Sequence, residues 1–155
     1  MSQTTTRVDK WRSHWLGDVP RRREQLPQQF DPVTNRTIEL IDVLWLQGNA
    51  ILAAFEIEST TSIYSGLLRM SDLLSMQPNI AVPLFLVAPE DRRSKVIQHV
   101  SRPTFDRMQP PLVDVCRYIS FENLKDALAQ ATPFVKYLKA DWLQTISESC
   151  AIDDV

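Results

Sequence analysis

Glycine is scarce in this chain, with three residues in 155 against ten prolines. That leaves no room for a glycine-rich loop that wraps phosphates in backbone N–H groups. Cysteine is scarcer still. Cys116 and Cys150 stand far apart in the sequence and lack the short spacings of a metal or redox motif, and two thiols build no disulfide framework. A reducing cytoplasm is the expected compartment, and Cys116, in an apolar strand-like run, reads as a small core residue. Histidine is limited to His14 and His99, neither beside a Cys or a second His, so no Ser-His-Asp arrangement stands out. No run of about 18 apolar residues is present, and the opening Met-Ser-Gln-Thr-Thr-Thr has no apolar signal core, so no membrane partner is expected. Positive charge is not in excess either. The net charge of −2 gives no global signal for a polyanion, although a local groove can carry the potential. Basic residues do gather at Arg21, Arg22 and Arg23 and again at Arg92, Arg93 and Lys95. The simplest reading of each cluster is a solvated surface, with His99 as a surface residue beside the second.

The chain has length enough for one domain with a single core (residues 1–155), and its 44% hydrophobic and 23% charged content is that of a soluble globular protein. Its most informative stretch runs from Ile38 to Thr61. Residues 38–46 and 50–58 are rich in Ile, Leu, Val, Phe and Trp, as buried strands are. Gln47, Gly48 and Asn49 between them supply a tight loop with residues that accept positive φ. The acids Asp42, Glu56 and Glu58 interrupt the two apolar strands. With a three-residue loop, Leu46 faces Ala50 and Asp42 faces Ala54, so period-two alternation puts Asp42 on the face of Glu56 and Glu58. A two-residue loop would move Asp42 to the other face.

Carboxylates on one patch of a buried sheet need positive charge nearby. A divalent metal is one answer, since Mg²⁺ takes carboxylate and water oxygens and keeps room for a phosphate. A solvated face paired with Arg is the other, and spacing alone leaves both open.

Asp42, a turn, then Glu56-Ile57-Glu58 on the next strand followed by a helix resembles the PD-(D/E)xK nuclease superfamily, the restriction-endonuclease-like fold. The resemblance covers about residues 36–125, and the run from Glu56 to Leu74 also resembles little-characterised bacterial members. It implies an Mg²⁺-dependent (or Mn²⁺-dependent) DNA endonuclease. Asp42 and Glu56 would be the metal-binding acids, with the Ile57 carbonyl as a further ligand, and Glu58 would complete the catalytic set as the group that orients or deprotonates water. Glu58 stands where the family usually has Lys, a departure that some restriction enzymes with Glu-x-Glu share. Arg69, on the following helix, would hold the substrate phosphate or neutralise a carboxylate, with a simple salt bridge to Asp72 or Glu58 as the equal alternative. DNA is the implied partner, with a homodimer or a larger nucleic-acid-processing system as the open alternatives. A catalytically degenerate module of the same fold that binds nucleic acid or a partner is the competing reading, as is a plain interaction protein docking through Trp11 and Trp15.

The remaining elements follow from pattern. Residues 1–10 are polar and read as frayed, and 11–37 as irregular, with Phe30-Asp-Pro as a turn. Glu24 is a weak candidate for the acid that the fold carries on its first helix, and a structural role fits it better. Glu39 points away from Asp42. A helix over 61–76 carries Ile63, Leu67, Met70 and Leu74 at helical spacing. Ile80–Ala88 reads as a parallel strand with Pro83 at its start or at an edge. A helix runs from Pro89 to Val100, then a turn near 104–108, a strand over Val113–Ser120, a helix over Glu122–Ala131 and short helices over 134–138 and 142–146. The expected architecture is an α/β domain with a mixed β-sheet flanked by helices, its nuclease-like core over 38–146.

Overall fold

The structure, a computed structural model, describes residues 2–5, 30–58, 63–76 and 82–152. Arg21, Arg22, Arg23, Glu24, Trp11, Trp15 and His14 lie outside the described residues, as do the first two positions of the helix expected from 61 and the first two of the strand expected from 80.

One six-stranded mixed sheet organises the chain. Its strands are β1 (Ser2–Thr5), β2 (Val43–Gln47), β3 (Ala50–Ile57), β4 (Leu84–Ala88), β5 (Cys116–Ser120) and β6 (Glu148–Ser149), and they lie side by side in chain order. The pairs β3–β4 and β4–β5 are parallel, and the other three are antiparallel. The parallel pairs need crossovers. Helix α2 (Ile63–Met76) supplies the first, and α3 (Arg93–Val100), α4 (Pro103–Asp106) and α5 (Leu112–Val115) supply the second. Helix α6 (Phe121–Ala131) and α7 (Trp142–Ile146) follow β5, and α1 (Pro32–Glu39) precedes β2. The expected α/β class with helices on a mixed sheet is the observed one.

The sheet carries a core on each face. On one, Leu44, Ala54, Leu84, Leu86 and Tyr118 pack with Leu67, Met70 and Leu74 of α2 and Val96 and Val100 of α3. On the other, Trp45, Phe55, Phe85, Val87 and Ile119 pack with Leu143 of α7 and with Leu124 of α6. Cys116 and Cys150 are both fully buried on the first side, and the thiols meet across β5 and the end of β6. Sequence distance hid that neighbourhood, because β6 was not expected.

Several boundaries differ from the sequence reading. Residues 38–46 are not one strand. Ile38 and Glu39 close α1, and β2 begins only at Val43. Phe30-Asp-Pro is not a free turn. Asp31 caps α1, its Oδ1 accepting from Val33 N and Thr34 N at 3.0 and 3.1 Å, and Pro32 takes the first helical position. Glu39 therefore sits on a helix and not on the reverse of a strand. Ser2–Thr5, expected to fray, pairs with β2 as an edge strand. Residues 112–115 form a helical turn, so β5 starts at Cys116 and not at Val113. Pro83 sits just before β4, where its carbonyl still accepts from Ala54 N at 3.1 Å.

The hairpin reaches the expected face by an unexpected route. Its loop has two residues, since Gln47 pairs with Ala50, and Gly48 takes φ of 58° in the turn. That loop alone would turn Asp42 away from Glu56. The register then slips between Trp45 and Leu46, with Leu46 opposite Ile51 and Trp45 opposite Ala53. Leu52 is the extra residue, and it packs on the same face as its neighbour Ala53. The bulge restores the parity that the short loop removes.

Candidate active site

Alternation along β3 puts Phe55 and Ile57 into the core of α7 and leaves Glu56 facing α2. Glu56 has no exposed surface, Asp42 is 7% exposed and Glu58 is 9% exposed. Asp42 lies just before β2, where the strand ladder has stopped. Its Oδ2 accepts from the Ile57 N–H at 2.9 Å, so a carboxylate replaces the next main-chain partner of β3. The side chains of Asp42 and Glu56 are close enough to share a hydrogen bond and to repel when both are charged.

Arg69 supplies the compensating charge. Its Nε and Nη2 donate to Glu56 Oε1 and Oε2 at 2.9 and 2.6 Å, and Nη2 lies 3.9 Å from Glu58 Oε1. Arg69 stands on α2, two turns in from the end that follows Glu58, which is what lets it reach back over the strand. Burial pushes the Glu56 carboxyl up to about 8; the Arg69 fork opposes that rise and the Asp42 charge adds to it. Arg69 itself is held above its ordinary value, first by the hydrogen bonds to Glu56. The two tendencies conflict over whether Glu56 is charged. The two-pronged geometry is that of a guanidinium on a carboxylate, and the cost of burying that carboxylate is what lifts its pKa.

All the groups here are hard oxygen donors, which suits Mg²⁺ or Mn²⁺ and not a soft metal. Among the described residues no three His, Cys, Asp or Glu side chains form a ready cage for an ion. Both oxygens of Glu56 are engaged by Arg69. An ion here would take Glu56 and Asp42 in exchange for that fork, with water filling the remaining positions.

Over residues 7–150 the chain matches the family described as the C-terminal domain of the type II restriction enzyme NmeDI. The chain belongs to that family. It is also 26% identical over 131 residues to the type II restriction enzyme NmeDI of Neisseria meningitidis serogroup C, a match covering 83% of this chain and 36% of that protein. The chain thus spans about a third of the length of the curated relative it matches. No solved structure matches it.

The NmeDI-family match takes in every residue singled out in the hairpin and α2. Asp42, Glu56, Glu58 and Arg69 are brought together, and the Ile57 backbone joins them through its N–H. No helix among the described residues is long and apolar enough to cross a membrane. One contributor was missed. A Cβ on Gly66 of α2 would fall 2.7 Å from Glu58 Oε1 and 3.2 Å from Glu56 Cβ, so the helix can lie on the two acids only without a side chain there. The signal was present in the sequence: a glycine inside an otherwise good helix costs about 1 kcal/mol and usually has a packing reason.

Proposed function

We propose that this chain is a divalent-cation-dependent DNA endonuclease of the PD-(D/E)xK type in its Glu-x-Glu form. The observation that carries the reading is the convergence of Asp42 and Glu56 on one buried face, with Glu58 beside them and Arg69 as the only arginine forked onto Glu56 among the described residues. Membership in the NmeDI C-terminal-domain family supports DNA as the substrate class.

Asp42 and Glu56 would hold Mg²⁺ or Mn²⁺. The Ile57 backbone, whose N–H already donates to Asp42, would offer its carbonyl as a third ligand. A bound ion would supply Lewis-acid chemistry, polarising the scissile phosphate and lowering the pKa of the attacking water. Glu58, held against α2 at the mouth of the site, orients that water and accepts its proton. Arg69, which cannot act as a base at neutral pH, moves from Glu56 to the phosphate when Glu56 changes partner.

One observation favours a second reading, a degenerate module that binds nucleic acid without cutting it. Arg69 already forks onto both oxygens of Glu56, and that pair engages the carboxyl without a metal. The test is cleavage of plasmid and single-stranded DNA with Mg²⁺, Mn²⁺ or EDTA. Asp42→Ala and Glu56→Gln should each lower metal-dependent cleavage by about 10³-fold, as loss of several kcal/mol of charge stabilisation requires. Undiminished cleavage by either variant overturns the assignment. Absence of cleavage by folded wild-type protein, with no stabilisation by either metal, favours the degenerate module.

A further inference from the structure

The second basic cluster, beside α3, has a geometry that its sequence reading as plain surface does not capture. Arg92, Lys95, His99 and Arg102 recur at intervals of three, four and three, which aligns them along one side of α3 and its flanking turns. The field at His99 registers the alignment. Burial lowers its imidazole pKa first, and Arg102, Arg92 and Lys95 lower it further, in that order. The Arg102 guanidinium lies 5.2 Å from the centre of the Tyr64 ring, and the His99 ring is 6.4 Å from it. Tyr64, in the first turn of α2, is 36% exposed, so an aromatic face and cations share one surface.

One observation says that the charge of this ridge lacks a partner within the protein. Among the described residues the ion pairs are made by Arg69 and Arg93, and none is made by Arg92, Lys95 or Arg102. In a chain of net charge −2, a segment in which Arg92, Lys95 and Arg102 make no ion pair with the nearby Asp91 or Asp106 is complementary to a polyanion. Family membership favours nucleic acid. Tyr64 and Gly66 lie on different faces of α2, so one helix touches the ridge through Tyr64 and covers Glu56 and Glu58 through Gly66.

We propose that Arg92, Lys95, His99 and Arg102, with Tyr64, form a phosphate-binding ridge that takes the sugar–phosphate backbone of DNA, on a face of α2 and α3 distinct from the one that covers the carboxylates. The ridge rests on the nuclease reading for its ligand but not for its charge or geometry. It would position the strand without reading its sequence, as phosphate contacts do.

The test measures binding apart from cleavage. A short fluorescein-labelled duplex is titrated with the 155-residue chain in EDTA over a series of salt concentrations, and cleavage is assayed separately with Mg²⁺. Arg92→Gln/Arg102→Gln should weaken binding on the order of tenfold and reduce the slope of log affinity against log salt by about 2, since each lost phosphate contact removes about 0.9. The melting temperature should stay near wild type. Arg92→Lys/Arg102→Lys should retain most of the slope. Lys125→Gln, on the exposed side of α6, should change neither quantity. An unchanged slope in the glutamine double variant, an equal loss in Lys125→Gln, or a wild-type protein that binds no duplex overturns the ridge. Wild-type binding with the full slope but without cleavage keeps the ridge and removes the nuclease reading. Cleavage with an unchanged slope in the double variant does the reverse.

Discussion

Arg69 grips Glu56 through Nε and Nη2 at 2.9 and 2.6 Å, and Arg93 grips Glu148 through the same two atoms at 2.6 and 2.8 Å. Both glutamates lie in one row across the sheet, since Glu56 pairs with Leu86, Leu86 with Tyr118 and Tyr118 with Glu148. The second borders a polar cavity of about 330 Å³ lined by Arg93, Tyr118, Ser120, Glu122 and Glu148 among others. What separates the two forks is water. The side chains of Arg93 and Glu148 are 48% and 40% exposed, whereas those of Arg69 and Glu56 are 18% and 0% exposed. The same hydrogen bonds are a loose surface clasp in one place and the neutralisation of a desolvated charge in the other. A cavity accompanies one fork; burial and a second carboxylate, Asp42, accompany the other, and the proposed chemistry rests on the latter pair.

Cleavage should separate the forks most widely. Glu56→Gln is expected to lose about 10³-fold. Glu148→Gln and Arg93→Gln are expected to stay within about twofold, since neither group touches the carboxylate site and exposed pairs contribute little. A plasmid-cleavage series with the three variants decides it. Loss of activity in Glu148→Gln with Glu56→Gln intact would transfer the chemistry to the cavity beside Glu148.

Stability should separate them next. Arg69→Ala leaves a buried carboxyl without its partner, and breaking such a pair costs about 3 kcal/mol or more. Arg93→Ala should cost less than about 1 kcal/mol. Urea unfolding in EDTA measures both, and equal losses would mean that burial does not set the difference.

The pH dependence of the metal-free protein sharpens the same contrast. The Glu56 carboxyl is raised from 4.5 to about 8 by burial, with Asp42 adding to the rise. Below about 4.5 both the folded and unfolded chains carry the proton. Between 4.5 and about 8 the unfolded chain has released it while the folded chain retains it, so stability falls across that window and levels off above it. Melting in EDTA should therefore be higher near pH 5 than near pH 8. Glu56→Gln should remove that part of the slope and Glu148→Gln should leave it. A slope unaffected by Glu56→Gln would mean that the Arg69 fork keeps Glu56 ionised throughout.

Particular residues show how far the sequence could be read. Asp42, Glu56 and Glu58 were legible because charge on an apolar strand is conspicuous and alternation assigns the face. The route was not legible. A two-residue loop and the Leu52 bulge each shift the register by one residue in the same sense, so together they keep the face, and a bulge has no side-chain signature of its own. Asp31-Pro32 is ambiguous by chemistry, since Asp-Pro opens a turn and caps a helix equally well. Ser2–Thr5 and Glu148–Ser149 are short polar edge strands whose pairing comes from their neighbours and not from any apolar pattern. The core of α2 was legible throughout, while Gly66 required knowing that two glutamates lie beneath it.

Gly66→Ala is the smallest change that should still distinguish the two forks. The added methyl would fall 2.7 Å from Glu58 Oε1, closer than side chains tolerate, and 3.2 Å from Glu56 Cβ. The Glu58 carboxylate is the movable end of its chain and yields first, whereas Glu56 is held by Arg69. Alanine gains about 1 kcal/mol of helix propensity over glycine, and overpacking costs about 1–3 kcal/mol, so the net change in stability is small. The effect on a group that must sit within hydrogen-bond reach of a water is not small, because displacement by about 1 Å can cost on the order of 10²-fold. Cleavage should therefore fall at least about tenfold while the melting temperature moves by only a few degrees. Ser94→Ala, on the exposed side of α3 next to Arg93, adds nothing near a carboxylate and should change neither. If Gly66→Ala cuts DNA at the wild-type rate, the position of Glu58 against α2 has no part in the reaction. The base must then be sought in solvent, and the buried fork would keep its structural distinction while losing its claim on the water.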